Sequence, residues 1–238
     1  MTPVDPRADP RADPRAIFPS FYDNPAIRVL ARACRWTISG RLGALEQEAA
    51  GRKAPIDVRH LLDGCNPRCR HEGPLRGAFA LDSTCLLTLE ELADELPHAA
   101  NAAFYLQAHT DGLVVVDIEP GCPADVAAEI LRLPGVLYSE LSMSGKGFHL
   151  VLPLPENLHE FPTAAEKRVL REEHGWYEIL LDHWCTFTRT PIAPAALDYA
   201  AAGTQPPKYT CLEELYAELA AKAPPNPTAS ATAVATAA

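Results

Sequence analysis

The chain has 238 residues, 47% of them hydrophobic, which is enough apolar material for one domain with a sizeable core. Its formal net charge of -10 argues against a protein that coats nucleic acid through a broadly basic surface, while leaving room for local contact through a small basic patch or bound cations. No stretch is long and apolar enough to span a membrane, no signal-peptide pattern is present, and the seven cysteines are odd in number and irregular in spacing; the expectation is a cytoplasmic protein with reduced thiols and no membrane partner.

Asp5-Pro6-Arg7-Ala8 recurs as Asp9-Pro10-Arg11-Ala12 and again as Asp13-Pro14-Arg15-Ala16. Proline at every fourth position excludes a helix or an inner strand, so residues 1–20 read as an extended, disordered tail. A helix is predicted near Ala26–Ala33, followed by a strand that starts at Trp36 and Ile38. Residues 51–77 read as loop-rich. Within them Cys65, Cys69 and His71 carry zinc-ligand chemistry, with Cys85 as a conceivable fourth ligand. No second Cys-x-x-Cys pair completes the set, so a polar loop without zinc is expected. A helix is predicted over Leu89–Leu96. Ala103–Ala108 and Leu113–Ile118 read as strands joined through His109-Thr110-Asp111-Gly112, where Asp-Gly is a hairpin signal. Pro123 opens a helix to about Leu133, and Val136–Ser142 with Phe148–Leu154 form a second hairpin. Thr163–Glu173 reads as a helix whose Lys167, Arg168 and Arg171 make a solvated or nucleic-acid-facing side. Two β segments follow, Trp176–Leu181 and Trp184–Arg189, and then an amphipathic helix over Leu212–Ala221. Residues 223–238, rich in Pro, Ala, Thr and Ser, read as a second disordered tail, which leaves one folded domain over residues 21–222.

Three pieces of this chain carry chemistry. The apolar run Leu113–Ile118 leads into Asp117-Ile118-Glu119, and alternation along a strand puts Asp117 and Glu119 on one side. Carboxylates that close repel unless a cation lies between them, and a divalent metal fills that role. Next comes Ser142-Met143-Ser144-Gly145-Lys146-Gly147-Phe148-His149, a strand, a glycine turn and a strand that gather Ser, Lys and His, residue types suited to phosphate oxygens. The P-loop spacing is absent. Third, Glu178 interrupts the apolar Trp176–Leu181, where a carboxylate is costly unless it is paired, metal-bound or turned to solvent on an edge strand. Each piece alone also fits a bland role, as a solvated strand end or a plain hairpin.

Taken in order, an apolar strand ending in Asp-x-Glu, then Ser-x-Ser-Gly-x-Gly-x-His, then a strand with one acidic residue ahead of an aromatic-Thr-x-Thr segment resembles the archaeo-eukaryotic primase superfamily, in particular the DNA primase-polymerase type of phages, plasmids and other mobile elements. The resemblance covers residues 103–190, and Trp36, Lys53-Ala54-Pro55-Ile56-Asp57 and Thr88-Leu89-Glu90-Glu91-Leu92 are similar to segments that precede the catalytic core there. It implies an α+β domain whose central, mostly antiparallel sheet is like an RNA-recognition module flanked by helices. It implies template-directed nucleotidyl transfer in DNA replication by two Mg²⁺ or Mn²⁺ ions held by Asp117, Glu119 and Glu178. Ser142, Ser144, Gly145, Lys146 and His149 would bind the nucleotide. The implied partners are a DNA template and primer and a dNTP or NTP; with no helicase motor in this chain, unwinding would fall to a separate replicative helicase. The chain departs from the pattern where relatives carry an Arg-aromatic pair after the third carboxylate: here His183-Trp184-Cys185 stands there, and Arg189 comes later. That departure and the acidic charge support an alternative, a catalytically degenerate module that binds nucleic acid or nucleotide. A metal-dependent nuclease would use the same carboxylates, but an Asp…Glu-x-Lys arrangement is missing.

Overall fold

The apolar run Leu113–Ile118 becomes the middle strand of a five-stranded sheet in the computed structural model, which describes residues 12–40, 54–63, 86–203 and 206–223. Three short helices come first: α1 (Pro14–Ile17), α2 (Pro19–Tyr22) and α3 (Pro25–Ala31). Strands β1 (Trp36–Thr37), β2 (Ser39–Gly40) and β3 (Ala54–Pro55) follow, then helices α4 (Val58–Asp63) and α5 (Leu89–Glu95). The middle of the chain holds β4 (Ala102–Gln107), α6 (Ala108–Asp111), β5 (Leu113–Ile118), α7 (Ala124–Leu131), β6 (Tyr138–Leu141) and β7 (Phe148–Pro153). A 3₁₀ turn (Glu156–Glu160) leads to α8 (Pro162–Ala165), β8 (Val169–Arg171), β9 (Tyr177–Leu180), β10 (Asp182–Phe187), α9 (Pro194–Ala201) and α10 (Leu212–Lys222). The fold is α+β, and every strand pair described is antiparallel. No described helix is long and apolar enough to cross a membrane.

The central sheet has the order β6-β7-β5-β9-β8; β4 sits in a separate three-stranded sheet between β1 and β10. One face of the central sheet carries Val114, Val116, Ile118, Leu150, Leu152 and Ile179, and α7 and α10 cover it with Ile130, Leu215, Tyr216 and Leu219. The other face carries Leu113, Val115, Tyr138, Val151 and Leu180, which join Trp36, Phe104, Phe187 and the residues of α3 and α5 in a second core. Strands buried on both sides read as continuous apolar runs, as β4 and β5 do.

Local signals account for several elements. Asn24 caps α3 by accepting from the Ala26 and Ile27 amides ahead of Pro25. Thr88 and Glu91 close a reciprocal capping box on α5. The expected β6–β7 hairpin forms, with Tyr138 opposite Val151 and Leu141 opposite Phe148.

Elsewhere the structure departs from the sequence expectations. Asp111-Gly112 does not make a hairpin: β4 and β5 lie in different sheets, and Gly112 ends the single turn α6 at φ 66°. Asp111 is drawn away from turn duty by Arg35, whose guanidinium pairs with its carboxylate, and by the Gln107 amide at 2.9 Å. The helix expected over Thr163–Glu173 stops at Ala165, and Val169–Arg171 pairs with β9 as an edge strand. The two β segments after it also part company, β9 in the central sheet and β10 beside β4. Residues 13–20, expected in the tail, form α1 and the start of α2; Asp13 accepts from the Arg15 amide, and Arg15 reaches Asp94 at 2.7 Å. Val58–Asp63 is helical within the region expected as loop, and α9 was not anticipated. Cys65, Cys69, His71, Cys85, Lys53 and most of both expected tails lie outside the described residues.

Candidate metal and nucleotide site

The register of the central sheet builds the site. Tyr138, Val151, Val115, Leu180 and Val169 form one cross-strand row on the second-core face. Two residues along each strand, on that same face, the next row reads Glu140, His149, Asp117, Glu178 and Arg171. Directly opposed side chains in such a row have Cβ atoms about 4.5–5.5 Å apart, so five polar groups from five strands become neighbours. One side of this face is apolar and buried; the charges collect where the aromatic core ends.

Glu119 follows the end of β5, where its amide donates to the Trp176 carbonyl at 2.8 Å. Asp117, Glu119 and Glu178 thereby offer oxygen atoms within 4.8 Å of one another. Glu178 is buried, and Asp117 and Glu119 are partly exposed. A set made only of carboxylate oxygens suits hard divalent cations such as Mg²⁺ or Mn²⁺ and gives no preference for softer metals. Arg171 already engages the cluster: its Nε and Nη2 lie 2.7 and 2.6 Å from Glu178 Oε2. Both contacts fall on one oxygen. The arginine that meets the third carboxylate is thus on edge strand β8, not on the expected helix.

The β6–β7 loop projects from the same row. The Ser142 amide donates to the Gly147 carbonyl at 2.9 Å and the Gly145 amide to the Ser142 carbonyl at 2.9 Å, which closes the turn. Gly145 has φ 68°, a conformation that costs other residues strain. Gly147 is needed for a different reason: a Cβ there would sit 2.3 Å from the Ile118 carbonyl oxygen and 2.9 Å from Ser142 Oγ. The loop therefore packs its backbone against the end of β5, beside Asp117 and Glu119. Ser142 and Ser144 hydroxyls are 2.9 Å apart, and Ser144 Oγ accepts from the Lys146 amide at 3.2 Å. Ser144, Gly145 and Lys146 are exposed at the tip; Ser142 is buried at its base.

His149 is 1% exposed and lies between two carboxylates, Nδ1 3.1 Å from Glu140 Oε1 and Nε2 3.5 Å from Asp117 Oδ1. It is thus part of the buried row, apart from the exposed tip that carries Lys146. Glu140 organises this side of the site and was not picked out from the sequence. It is fully buried and accepts from the Tyr138 hydroxyl at 2.8 Å, the Thr188 amide at 2.7 Å and the Arg189 amide at 2.8 Å as well as facing His149. Burial, reinforced by the Glu140 charge and hydrogen bond, pushes the Tyr138 hydroxyl far up, so it remains a donor. The signal was available: in Tyr138-Ser139-Glu140-Leu141 the alternation puts Glu140 on the same side as the buried Tyr138.

Arg189 does not join the acidic cluster. Its guanidinium donates to the Ala99 carbonyl and lies over the Phe18 ring, 4.4 Å from the centroid. A second acidic group, Glu172, Glu173 and His174, sits at the β8–β9 turn. Burial works to raise the Glu172 carboxyl, but hydrogen bonds from the His174 ring and amide and the Trp176 amide outweigh it and hold the carboxyl low. These bonds brace the turn. A scan of this chain against protein-family models finds no match, and no curated protein matches it.

Proposed function

We propose that this chain is a DNA primase-polymerase, a nucleotidyltransferase that joins an incoming dNTP or NTP to a primer strand on a DNA template. The observation that carries the proposal is the convergence of Asp117, Glu119 and Glu178 within 4.8 Å, next to a glycine loop with Ser and Lys at its tip. That is the arrangement implied by the sequence resemblance. It requires three strands to be in one register, which the motifs alone do not specify. The strand sequence β5-α7-β6-β7, with β5 and β9 adjacent in the sheet, is compatible with the RNA-recognition-like core that the resemblance implies.

In this mechanism two Mg²⁺ or Mn²⁺ ions at Asp117, Glu119 and Glu178 would supply Lewis-acid activation of the primer hydroxyl and neutralise charge on the departing pyrophosphate. The protein's own groups do the rest. Lys146 and Ser144 at the exposed tip take the nucleotide's phosphate oxygens, with the backbone amides around Gly145 and Gly147 beside them. Ser142 supports the tip through its hydroxyl contact with Ser144. Glu140 fixes the orientation of His149, so that its Nε2 edge is presented at Asp117 and the reacting phosphates.

One observation favours a second proposal, a degenerate module that binds nucleotide or nucleic acid without synthesis: the Arg171 guanidinium already supplies a counter-charge to Glu178. Primer extension on a primed DNA template with Mg²⁺ or Mn²⁺ separates the two. Metal-dependent incorporation that is abolished by Asp117→Ala supports the polymerase. A wild-type protein that binds primed template and incorporates nothing with either metal refutes it in favour of the binding module. Equal incorporation by wild type and Asp117→Ala would move the catalytic centre elsewhere.

A further inference from the structure

Against the β6–β7 loop lies a cavity of about 480 Å³, walled by Phe18, Ala99, Leu141, Met143, Thr188 and Arg189. None of the three clustered carboxylates lines it. Its one permanent charge is Arg189, which is 3% exposed. A guanidinium keeps its charge at any ordinary pH, and burying a charge without a counter-ion is unfavourable. Arg189 has no carboxylate within ion-pair distance among the described residues, and its Nε is a buried donor without a hydrogen-bond partner. The rest of the group is held by neutral partners: the Ala99 carbonyl, the Tyr22 hydroxyl at 3.4 Å and the Phe18 ring. The backbone is held too. Arg189 is the one non-glycine residue at positive φ among the described residues, at 62°, and Glu140 clamps it there through the Thr188 and Arg189 amides. Strain of that kind persists where the surroundings over-determine it, and it marks sites that hold a side chain for a purpose.

The geometry points to an oxyanion subsite: the cavity binds a small organic phosphate of nucleoside-monophosphate size, its phosphate drawn to the Arg189 guanidinium and its flat body against Phe18, Leu141 and Met143. A phosphate supplies the counter-charge that the guanidinium's neutral partners do not. The Ser142 hydroxyl at the wall, in contact with that of Ser144, provides a further polar group for a tetrahedral anion. Aromatic and aliphatic walls suit a base, because every base has a π-face to lay against them. The inference does not depend on the carboxylate cluster, and binding here needs no divalent cation.

The test is calorimetric titration of the full chain with adenosine monophosphate in excess chelator, with adenosine as the control titrant. The monophosphate is expected to bind and adenosine to bind at least tenfold more weakly. Arg189→Gln should weaken the monophosphate by about ten- to a hundredfold, the range for one hydrogen bond to a charged group. Because a change at a strained, buried position can disturb folding, Ala100→Trp serves as the second variant. Ala100 is exposed at the cavity wall, so an indole there obstructs the cavity and leaves Arg189 in place; it should cost a similar factor. Asp117→Ala should leave metal-free binding unchanged. No binding of the monophosphate, equal binding of adenosine, or insensitivity to both cavity variants would overturn the assignment, as would loss of binding in Asp117→Ala, which would put the ligand at the carboxylates instead. Failure of the primer-extension assay has no bearing on these outcomes, so the two proposals fail separately.

Discussion

Replacing Glu140 by glutamine exchanges one oxygen for an NH₂ group on a fully buried side chain, and the consequence can be worked out from four contacts. Oε1 accepts from the Thr188 amide at 2.7 Å and faces His149 Nδ1 at 3.1 Å; Oε2 accepts from the Tyr138 hydroxyl at 2.8 Å and the Arg189 amide at 2.8 Å. Tyrosine can rotate its hydroxyl to accept, and histidine can change tautomer, so both tolerate an NH₂ opposite them. A backbone amide cannot. Whichever way the glutamine turns, its NH₂ faces either the Thr188 or the Arg189 amide, and one buried N–H is orphaned. An unsatisfied buried donor costs about 1–3 kcal/mol, and the charged acceptor that strengthened the others is also lost. The expected destabilisation is about 2–3 kcal/mol, or about 5–10 °C in melting temperature for a chain of this size. Glu140→Ala leaves all four partners without an acceptor and should cost about 4 kcal/mol or more. Urea unfolding followed by circular dichroism measures this directly, provided the slope with denaturant is unchanged between variants. A Glu140→Gln protein within about 0.5 kcal/mol of wild type would refute the argument, since it would mean that the two amides have other partners or are not buried.

Other outcomes are expected on the same structural grounds. Asp117→Ala should abolish metal-dependent incorporation and keep or slightly raise the melting temperature, because it relieves repulsion among three carboxylates; a folded variant with wild-type activity counts against the site. His149→Ala should mainly weaken nucleotide binding, by about one to two orders of magnitude in apparent KM, and an unchanged KM would show that it stays inside the buried row throughout. Gly147→Ala puts a methyl group 2.3 Å from the Ile118 carbonyl, so the loop must shift; a loss of about 2–3 kcal/mol is expected in the same urea assay, and a neutral result would contradict the close packing of loop on strand. At the C-terminal helix, burial works to raise the Glu218 carboxyl, but hydrogen bonds from Lys208, Tyr209 and Lys222 outweigh it and lower the pKa to about 2. A depressed carboxylate contributes stability above its unfolded value, near 4.5, and loses it as pH falls towards about 2. Glu218→Gln should therefore flatten the fall in stability between those pH values, and an identical acid profile would show that the three donors do not act on it.

The sequence by itself determined the elements whose signals are local. Asn24-Pro25, Thr88 with Glu91, and the hydrophobic period of Leu212–Lys222 mark helices because a cap or a 3.6-residue repeat acts within a turn or two of its own position. The β6–β7 hairpin was legible for the same reason, and so was the shared side of Asp117 and Glu119, since both follow from neighbours in the chain. Sheet membership was not legible. Asp111-Gly112 fits a hairpin turn and a helix stop equally well, and the choice was made by Arg35, far away in sequence. Val169–Arg171 can sit in a helix or a strand, and the open edge of β9 recruited it; that in turn delivered Arg171 to Glu178. Glu140 drew no attention because three of its contacts that matter, with His149, Thr188 and Arg189, come from residues 9, 48 and 49 positions away. Strand pairing is a competition among distant segments for the same edges, decided by the packing of the whole core, and only the folded chain holds the result.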